Sequence, residues 1–467
     1  MSDTAVQIGL FDRAIRRIAG VWRDMASTVS APEGESIADQ MRACLNARGG
    51  EISARNRAAK LAQSYLTLDD TGRRAFLRDL AGFDSDPAQA DRAYAALQAA
   101  TEPDDRATAQ VALRRALEPP RVRLLTQFTT IPDGMKFLVD LRATLLELKG
   151  KDHWLGALES DLKNLLANWF DVGFLELQRI DWNSPAVLLE RLVGYEAVHE
   201  IRSWSDLKNR LDSDRRCYAL FHHRMPNEPL IFVEVALVRG LADSVQRLLD
   251  KKAPLLDPKD ADTAIFYSIS NCQKGLAGIS FGNFLIKRVV ELLSKDFRNI
   301  KQFATLSPIP GFRRWLDAKL AEGDPKLLSE EEATSLRTAL PAASAPYENG
   351  AQALSAILSR RGWHRDGAML KAVDPVLVRL AARYILAESR GNRALDPVAH
   401  FHLSNGARAE RIMACADVSE KGIRESATLM INYLYDPAKI EDYHEDYAGE
   451  GKRNASTAVR KLARGWA

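Results

Sequence analysis

Apolar residues recur at spacings of three and four through the first third of the chain. Phe11, Ile15, Ile18, Trp22 and Met25 place one stripe along a helix. Leu61, Tyr65 and Leu66 follow, then Phe76, Leu77 and Leu80, then a run rich in Ala and Leu from Asp91 to Leu117. Phe137, Leu138, Leu141, Leu145 and Leu148 form a further stripe, and Trp154 to Trp169 the last. Proline-containing polar breaks separate these segments, at Ala31-Pro-Glu-Gly-Glu, Glu102-Pro-Asp-Asp and Pro119-Pro120. The pattern predicts an all-helical domain ending near residue 175, with no Gly-rich loop and no catalytic polar cluster of its own.

The period changes after about residue 195. Cys217-Tyr-Ala-Leu-Phe-His-His reads as a strand, and Pro229 to Val238 as its hairpin partner across the turn Pro226-Asn-Glu. Thr263 to Ser270 is a third strand. Three glycines follow, Gly275, Gly278 and Gly282, and then a helical pattern through Phe284, Leu285, Val289, Val290 and Leu293. Phe303-Ala-Thr-Leu-Ser is another short strand. Residues 325–395 read as mostly helical around a loop at Pro341-Ala-Ala-Ser-Ala-Pro, and the charged tail from Asp436 holds one helix, Ser456 to Arg464. The expected fold is therefore two-domain α+β: helices over 1–175, then an α/β domain with a mixed central sheet over 176–467.

Composition narrows the function classes. For 467 residues, about 150 per domain suggests roughly two or three domains, and 46% hydrophobic with 27% charged residues is the profile of a folded globular chain. The 65 Lys and Arg nearly balance the 62 Asp and Glu, too evenly for nucleic acid or a membrane surface to be held by bulk attraction. No apolar run reaches the length of a membrane span. Cys44, Cys217, Cys272 and Cys415 are widely spaced, without a CxxC or Cys/His cluster, so no metal site is expected. The segment Met1-Ser-Asp-Thr-Ala-Val-Gln lacks the basic and apolar regions of a secretory signal, and the expected location is the cytoplasm.

The chemistry concentrates where the third strand meets the glycines. A strand feeding a glycine-containing loop that opens a helix lets backbone N–H groups approach an anion, with the helix dipole behind them. That makes a diphosphate cradle of backbone, although the same residues also suit a plain turn. The spacing matches neither GxGxxG nor GxxxxGK[ST]. Ser307 precedes a proline and by itself is a turn serine as readily as a reactive one; no Gly-x-Ser-x-Gly elbow surrounds it. His402 alone reads equally as a core histidine. His400, two positions away, faces nearly the other side of a helix. His222 and His223 stand side by side on a predicted strand and are expected to face opposite ways. Ser268, Ser270 and Asn271 end a strand, as pocket residues or solvated ones, and Tyr435 serves the site or the core. Lys287 and Arg288 belong to a phosphate contact or to the wet face of their helix.

The strand, loop and helix resemble the coenzyme A site of the GNAT acetyltransferase superfamily. A more specific resemblance, to the malonyl-CoA decarboxylase family, is carried by Gly275-Leu-Ala-Gly through Phe284-Leu-Ile-Lys-Arg-Val-Val to Leu306-Ser-Pro-Ile-Pro-Gly-Phe. His222-His-Arg-Met-Pro-Asn-Glu-Pro-Leu, Phe401-His-Leu-Ser-Asn-Gly-Ala and Ala416-Asp-Val-Ser belong to the same resemblance. It spans about residues 195–436 in the family's order.

The resemblance implies a GNAT-like catalytic domain that converts malonyl-CoA to acetyl-CoA and CO2 with no metal or organic cofactor. It further implies that Ala277, Gly278, Ile279, Ser280, Phe281, Gly282 and Asn283 bind the CoA diphosphate. Ser307 and His402 match the catalytic pair, with His402 the proton donor to the new methyl carbon. Ser268, Asn271 and Tyr435 are candidate substrate contacts. A homotetramer is implied, with the helical domain its expected site of self-association. Two rival functions share the cradle: a CoA-dependent acyltransferase and a non-catalytic acyl-CoA sensor.

Overall fold

A computed structural model of the chain describes residues 21–25, 35–46, 50–279, 282–324, 327–341 and 347–464. The chain divides into two compact units. The first comprises residues 1–176 together with 220–230 and 271–281, and the second comprises 177–219, 231–270 and 282–467.

Among the described residues the first unit holds the helical stretch 21–25 and α1 (Ile37–Leu45), α2 (Gly50–Leu66), α3 (Asp70–Ala81), α4 (Pro87–Ala99), α5 (Pro103–Leu117), α6 (Pro120–Phe128), α7 (Gly134–Leu148) and α8 (His153–Trp169). The breaks seen in the sequence are their starts. Pro87, Pro103 and Pro120 occupy first-turn positions, where a missing N–H costs nothing. Asp69, Asp86 and Asp152 accept N–H bonds as N-caps of α3, α4 and α8. The stripes converge on an aromatic cluster in which Phe137 meets Trp22, Tyr65 and Phe128 edge-on or tilted, at 5.0–5.6 Å between ring centres. Phe11, Ile15 and Ile18 lie outside the described residues.

The second unit carries the sheet. Its strands are β1 (Leu175–Ile180), β2 (Arg215–His222), β3 (Ile231–Val238), β4 (Thr263–Asn271), β5 (Gln302–Thr305), β6 (Ser307–Pro308), β7 (Ser389–Arg390), β8 (Arg393–Ala394), β9 (Arg408–Met413) and β10 (Met430–Tyr435). The main sheet runs β1-β2-β3-β4-β5-β10-β6, with β9 also paired to β10, while β7 and β8 form a small ribbon of their own. β4 and β5 are parallel, whereas β10 is antiparallel to β5, β6 and β9. Helices followed by an α/β region with a mixed sheet are the architecture expected from the sequence.

The helices of this unit are α9 (Ala186–Tyr195), α10 (Trp204–Arg210), α11 (Val245–Leu248), α12 (Gly282–Asp296), α13 (Phe312–Glu322), α14 (Glu330–Thr338), α15 (Gly350–Ser359), α16 (Gly367–Leu386), α17 (Pro397–Ser404), α18 (Glu420–Ser426), α19 (Ile440–Glu450) and α20 (Thr457–Ala463). The tail thus holds two helices rather than one. α19 escapes the sequence pattern because it buries only Ile440 and Tyr447 among acidic and polar residues, too few apolar positions to set a period. A second expectation also changes. β2 ends at His222, so His223 falls in the following turn, strand alternation no longer separates the two, and their rings lie 4.4 Å apart.

α17 ends on a left-handed residue. Gly406 has φ +79°, its N–H bonds Leu403 O, and the Ala407 N–H reaches back to His402 O. A Cβ at Gly406 would stand 2.1 Å from the Ile440 carbonyl oxygen. Gly406→Ala should therefore lower the unfolding free energy by about 1–3 kcal/mol, read from the shift in urea midpoint against the parent protein.

Candidate active site

The sheet loses its regularity at one place. β5 and β6 face β10 in a single antiparallel register, with Ala304 opposite Leu434 and Ser307 opposite Ile431. Between them the ladder is interrupted. The Tyr433 N–H donates to the side-chain Oγ1 of Thr305 at 3.0 Å, and Asn432 Nδ2 takes the Thr305 carbonyl at 2.7 Å. On the other edge of β10 the register with β9 shifts at the same step, between Asn432 and Tyr433. β4 stays paired with β5 only from Thr263 to Phe266, closed by the Leu306 N–H on Phe266 O, and then runs on to Asn271. Two neighbouring parallel strands part company there.

Alternation sorts the side chains at this point. Thr305 and Ser307 share a face with Tyr433 and Tyr435, and the Phe266 ring meets Tyr435 on it at 6.2 Å. Ile265, Tyr267, Ala304, Leu306 and Met430 pack together on the other face. α17 lies over the first face. Its buried positions are Ala399, His402 and Leu403, the i, i+3, i+4 set of one helical side.

His402 is thereby held on three sides. Its ring stacks on Tyr433 at 4.7 Å and 25°, Nδ1 lies 2.8 Å from the Tyr435 hydroxyl, and Nε2 lies 3.0 Å from Ser307 Oγ. Ser307 donates in turn to Thr305 Oγ1 at 2.9 Å. With that hydroxyl proton directed to Thr305, the consistent pattern has Nε2–H donating to Ser307 and Nδ1 accepting from Tyr435. Burial alone pushes the His402 imidazole down to about 3, so the ring is neutral at ordinary pH. Burial also raises the Tyr435 phenol well above its usual value. His400 points elsewhere, its Nδ1 2.9 Å from the Tyr447 hydroxyl.

Asp396 sets the position of α17. It is fully buried, and Oδ1 caps the helix by accepting from Val398 and Ala399 at 3.0 and 2.9 Å. Oδ2 accepts from Gly311 at 3.2 Å, four residues beyond Ser307. One carboxyl group thus ties the histidine helix to the serine loop. Burial raises the Asp396 carboxyl, against the N–H bonds from Ala399, Gly311 and Val398 that favour its charge.

The remaining predicted residues fall as follows. Ser268 is buried on β4 and donates to both oxygens of Glu196, at 2.8 and 2.7 Å; Ser270 hydrogen-bonds the same carboxylate at 3.4 Å. Asn271 is exposed. Lys287 and Arg288 already hold carboxylate partners, Glu441 and Glu291. Of the loop, Ala277, Gly278 and Ile279 are described, with Gly278 at φ +75°; Ser280 and Phe281 lie outside the described residues, and Gly282 and Asn283 begin α12.

Ser307, His402 and Tyr435 thus form a buried serine–imidazole–phenol chain beside the parted parallel strands. The family model "Malonyl-CoA decarboxylase C-terminal domain" matches residues 173–466, and "Malonyl-CoA decarboxylase N-terminal domain" matches residues 83–170. The chain belongs to the malonyl-CoA decarboxylase family. It is 35% identical over 456 residues to the mitochondrial malonyl-CoA decarboxylase of Anser anser anser, covering 91% of this chain and 88% of that protein. The crystal structure of malonyl-CoA decarboxylase from Rhodopseudomonas palustris matches with a TM-score of 0.82 at 40% identity, over 92% of this chain and 100% of that one. The corresponding structure from Agrobacterium vitis gives 0.80 at 40% identity, over 91% and 99%.

Within this member of the family, Thr305, Tyr433, Glu196 and Asp396 are site neighbours that sequence reasoning passed over. Three of them carried a local signal. Thr305 precedes Ser307 by two, the strand period, and Asp396-Pro397 is an N-cap followed by a first-turn proline. Tyr433 carried the same strand-period signal, two before Tyr435, and Glu196 carried none.

The buried neutral histidine also has a thermodynamic consequence. An unfolded histidine takes up a proton below about 6.5, whereas folded His402 resists protonation until about 3. Its share of stability is therefore complete above 6.5 and declines as pH falls toward 3. His199 and His222, each pushed down to about 4 by burial, act in the same direction. Urea unfolding at pH 7.5 and pH 5.0 should show a smaller acid loss for His402→Gln than for the parent, the difference isolating His402.

Proposed function

We propose that this chain is a malonyl-CoA decarboxylase that releases CO2 and acetyl-CoA, using Ser307 and His402 and neither metal nor organic cofactor. The observation that carries this is the 3.0 Å contact between Ser307 Oγ and His402 Nε2, buried and backed by Tyr435, in a chain of this family.

The reaction asks for little else. When the C–C bond to the carboxylate breaks, its electron pair moves into the thioester and leaves an enolate, and one proton must then reach carbon. A neutral imidazole suits the first step. The Ser307 hydroxyl, turned from Thr305 to the substrate while Nε2–H goes on donating to its oxygen, orients the carboxylate without a full positive charge, which would stabilise the reactant carboxylate and raise the barrier to its loss. It suits the second step as well. Ser307 and His402 hold two exchangeable protons in series, so the one delivered to carbon is replaced along the pair and finally from water. Tyr435, donating to Nδ1, keeps the ring in the tautomer that presents N–H to Ser307. In the same proposal the segment Ala277 to Asn283 takes the CoA diphosphate, and Ser268, whose hydroxyl Glu196 orients, is a substrate contact.

Self-association into a homotetramer and a cytoplasmic location belong to the same proposal. The helical pair α4 and α5 supports the first: Ala116 is the sole buried residue in the two helices, which leaves their other faces free for a second copy.

Purified protein incubated with malonyl-CoA in EDTA should release equal amounts of CO2 and acetyl-CoA without an acyl acceptor. Activity abolished by the chelator would overturn the metal-free chemistry. Ser307→Ala and His402→Asn should each lose at least about a hundredfold in kcat, the scale of general acid–base catalysis, while still binding CoA. Light scattering should report four copies in the particle.

A further inference from the structure

The first unit contains the loop Asn271–Phe281 as well as α7 and α8, and two cations of those helices meet the loop. Arg142, on α7, is 2% exposed at its side chain. Its Nη1 donates to the Gly275 carbonyl at 2.6 Å and the Ala277 carbonyl at 2.9 Å, while Nε and Nη2 donate to Glu159 Oε1 of α8 at 3.2 and 2.7 Å. Lys149 closes the network on the other Glu159 oxygen at 3.0 Å. Burial would raise the Glu159 carboxyl, but hydrogen bonds from Arg142 and Lys149 outweigh it and keep it below its ordinary value. The loop has no room to retreat, because a Cβ at Gly275 would stand 1.8 Å from the Val139 carbonyl oxygen.

Pinning those carbonyls aims the amides that follow them. In a trans peptide the N–H points opposite to the preceding C=O, so the Ala277 carbonyl on Arg142 turns the Gly278 N–H to the far side. That amide meets no acceptor among the described residues, unlike those of Leu276, Ala277 and Ile279, which close local turns. Lys163 of α8 stands beside it. A Cβ at Gly278 would lie 3.5 Å from Lys163 Nζ and 3.7 Å from Cε, and no carboxylate among the described residues pairs with this ammonium. A free amide on a side-chain-less residue next to an uncompensated ammonium is the donor set of a phosphate site.

We propose that the helical unit reads the phosphate end of the substrate, with Lys163 a ligand of the CoA diphosphate and Arg142 a positioning residue that holds the loop with its amide presented. The inference rests on the CoA assignment made above.

Lys163→Met should raise KM for malonyl-CoA and malonyl-dephospho-CoA by about 10- to 100-fold, the worth of one charge-assisted hydrogen bond. It should leave kcat unchanged and malonyl-pantetheine turnover unaffected. Calorimetry with CoA should show the same loss of affinity, and it decides the point even if the wild-type protein turns over none of the three, a result that would sink the decarboxylase assignment instead. Unchanged CoA affinity, or an equal loss on malonyl-pantetheine, would overturn the role of Lys163. A loss confined to malonyl-CoA, sparing the dephospho substrate, would move the contact to the 3′-phosphate and overturn the diphosphate assignment. Arg142→Met should raise KM for the two phosphate-bearing substrates at constant kcat, with partial rescue by Arg142→Lys; a loss shared by all three substrates would show that Arg142 only holds the fold. Lys163 bonds no described residue, so its variant tests ligation without the folding cost that Arg142→Met carries.

Discussion

A hydroxyl in place of a carbonyl governs the region around Ser307 and His402. Where the ladder between residues 302–308 and 430–435 would place a backbone bond, the Tyr433 N–H instead takes Thr305 Oγ1, and Asn432 fills the carbonyl left over. The Tyr433 N–H and the Thr305 carbonyl both keep a partner, as a buried backbone requires, yet the strands are released from strict pairing. At the same level β4 is no longer paired with its parallel neighbour, after Phe266. Ser307 is then set on a face that a helix, rather than another strand, can cover. Thr305 does double duty, since the oxygen that accepts from Tyr433 also accepts from Ser307.

The imidazole depends on that arrangement. A buried ring is costly to charge, and here it has no carboxylate partner to offset the cost, so it stays neutral. In the decarboxylation proposed for this chain, a neutral ring orients the reactant carboxylate more than it stabilises it. Stacking on Tyr433 and the bond to Tyr435 fix the orientation of the ring, the preorganisation that the proposed chemistry would use. Asp396 extends the order outward by anchoring α17 and the loop after Ser307 to one carboxyl group.

The helical unit solves a different problem with the same device. A loop of backbone donors is useful only if its amides are aimed, and aiming requires something to hold the opposite side of each peptide. Arg142 does this with carbonyls where Asp396 does it with amides. Buried charges in both places are matched by several hydrogen bonds, the condition under which they are tolerated at all.

Periodicity sufficed for the elements whose burial is one-sided or complete: the stripes of α7 and α8, strands β2 to β5, and the order of helices before sheet. The glycine loop and the segments around Ser307 and His402 were legible because short motifs are local, and local sequence dictates turn chemistry and which residues share a helical face. α19 was not legible, because two buried residues make no period. Nor was Glu196, whose partner lies 72 residues away in Ser268. Residues 95 apart in the chain meet as Ser307 and His402 only because a sheet register and a helix cap bring them together. Such pairings, and the burial that keeps the ring neutral, are long-range consequences of packing, and they exist only once the chain has closed on itself.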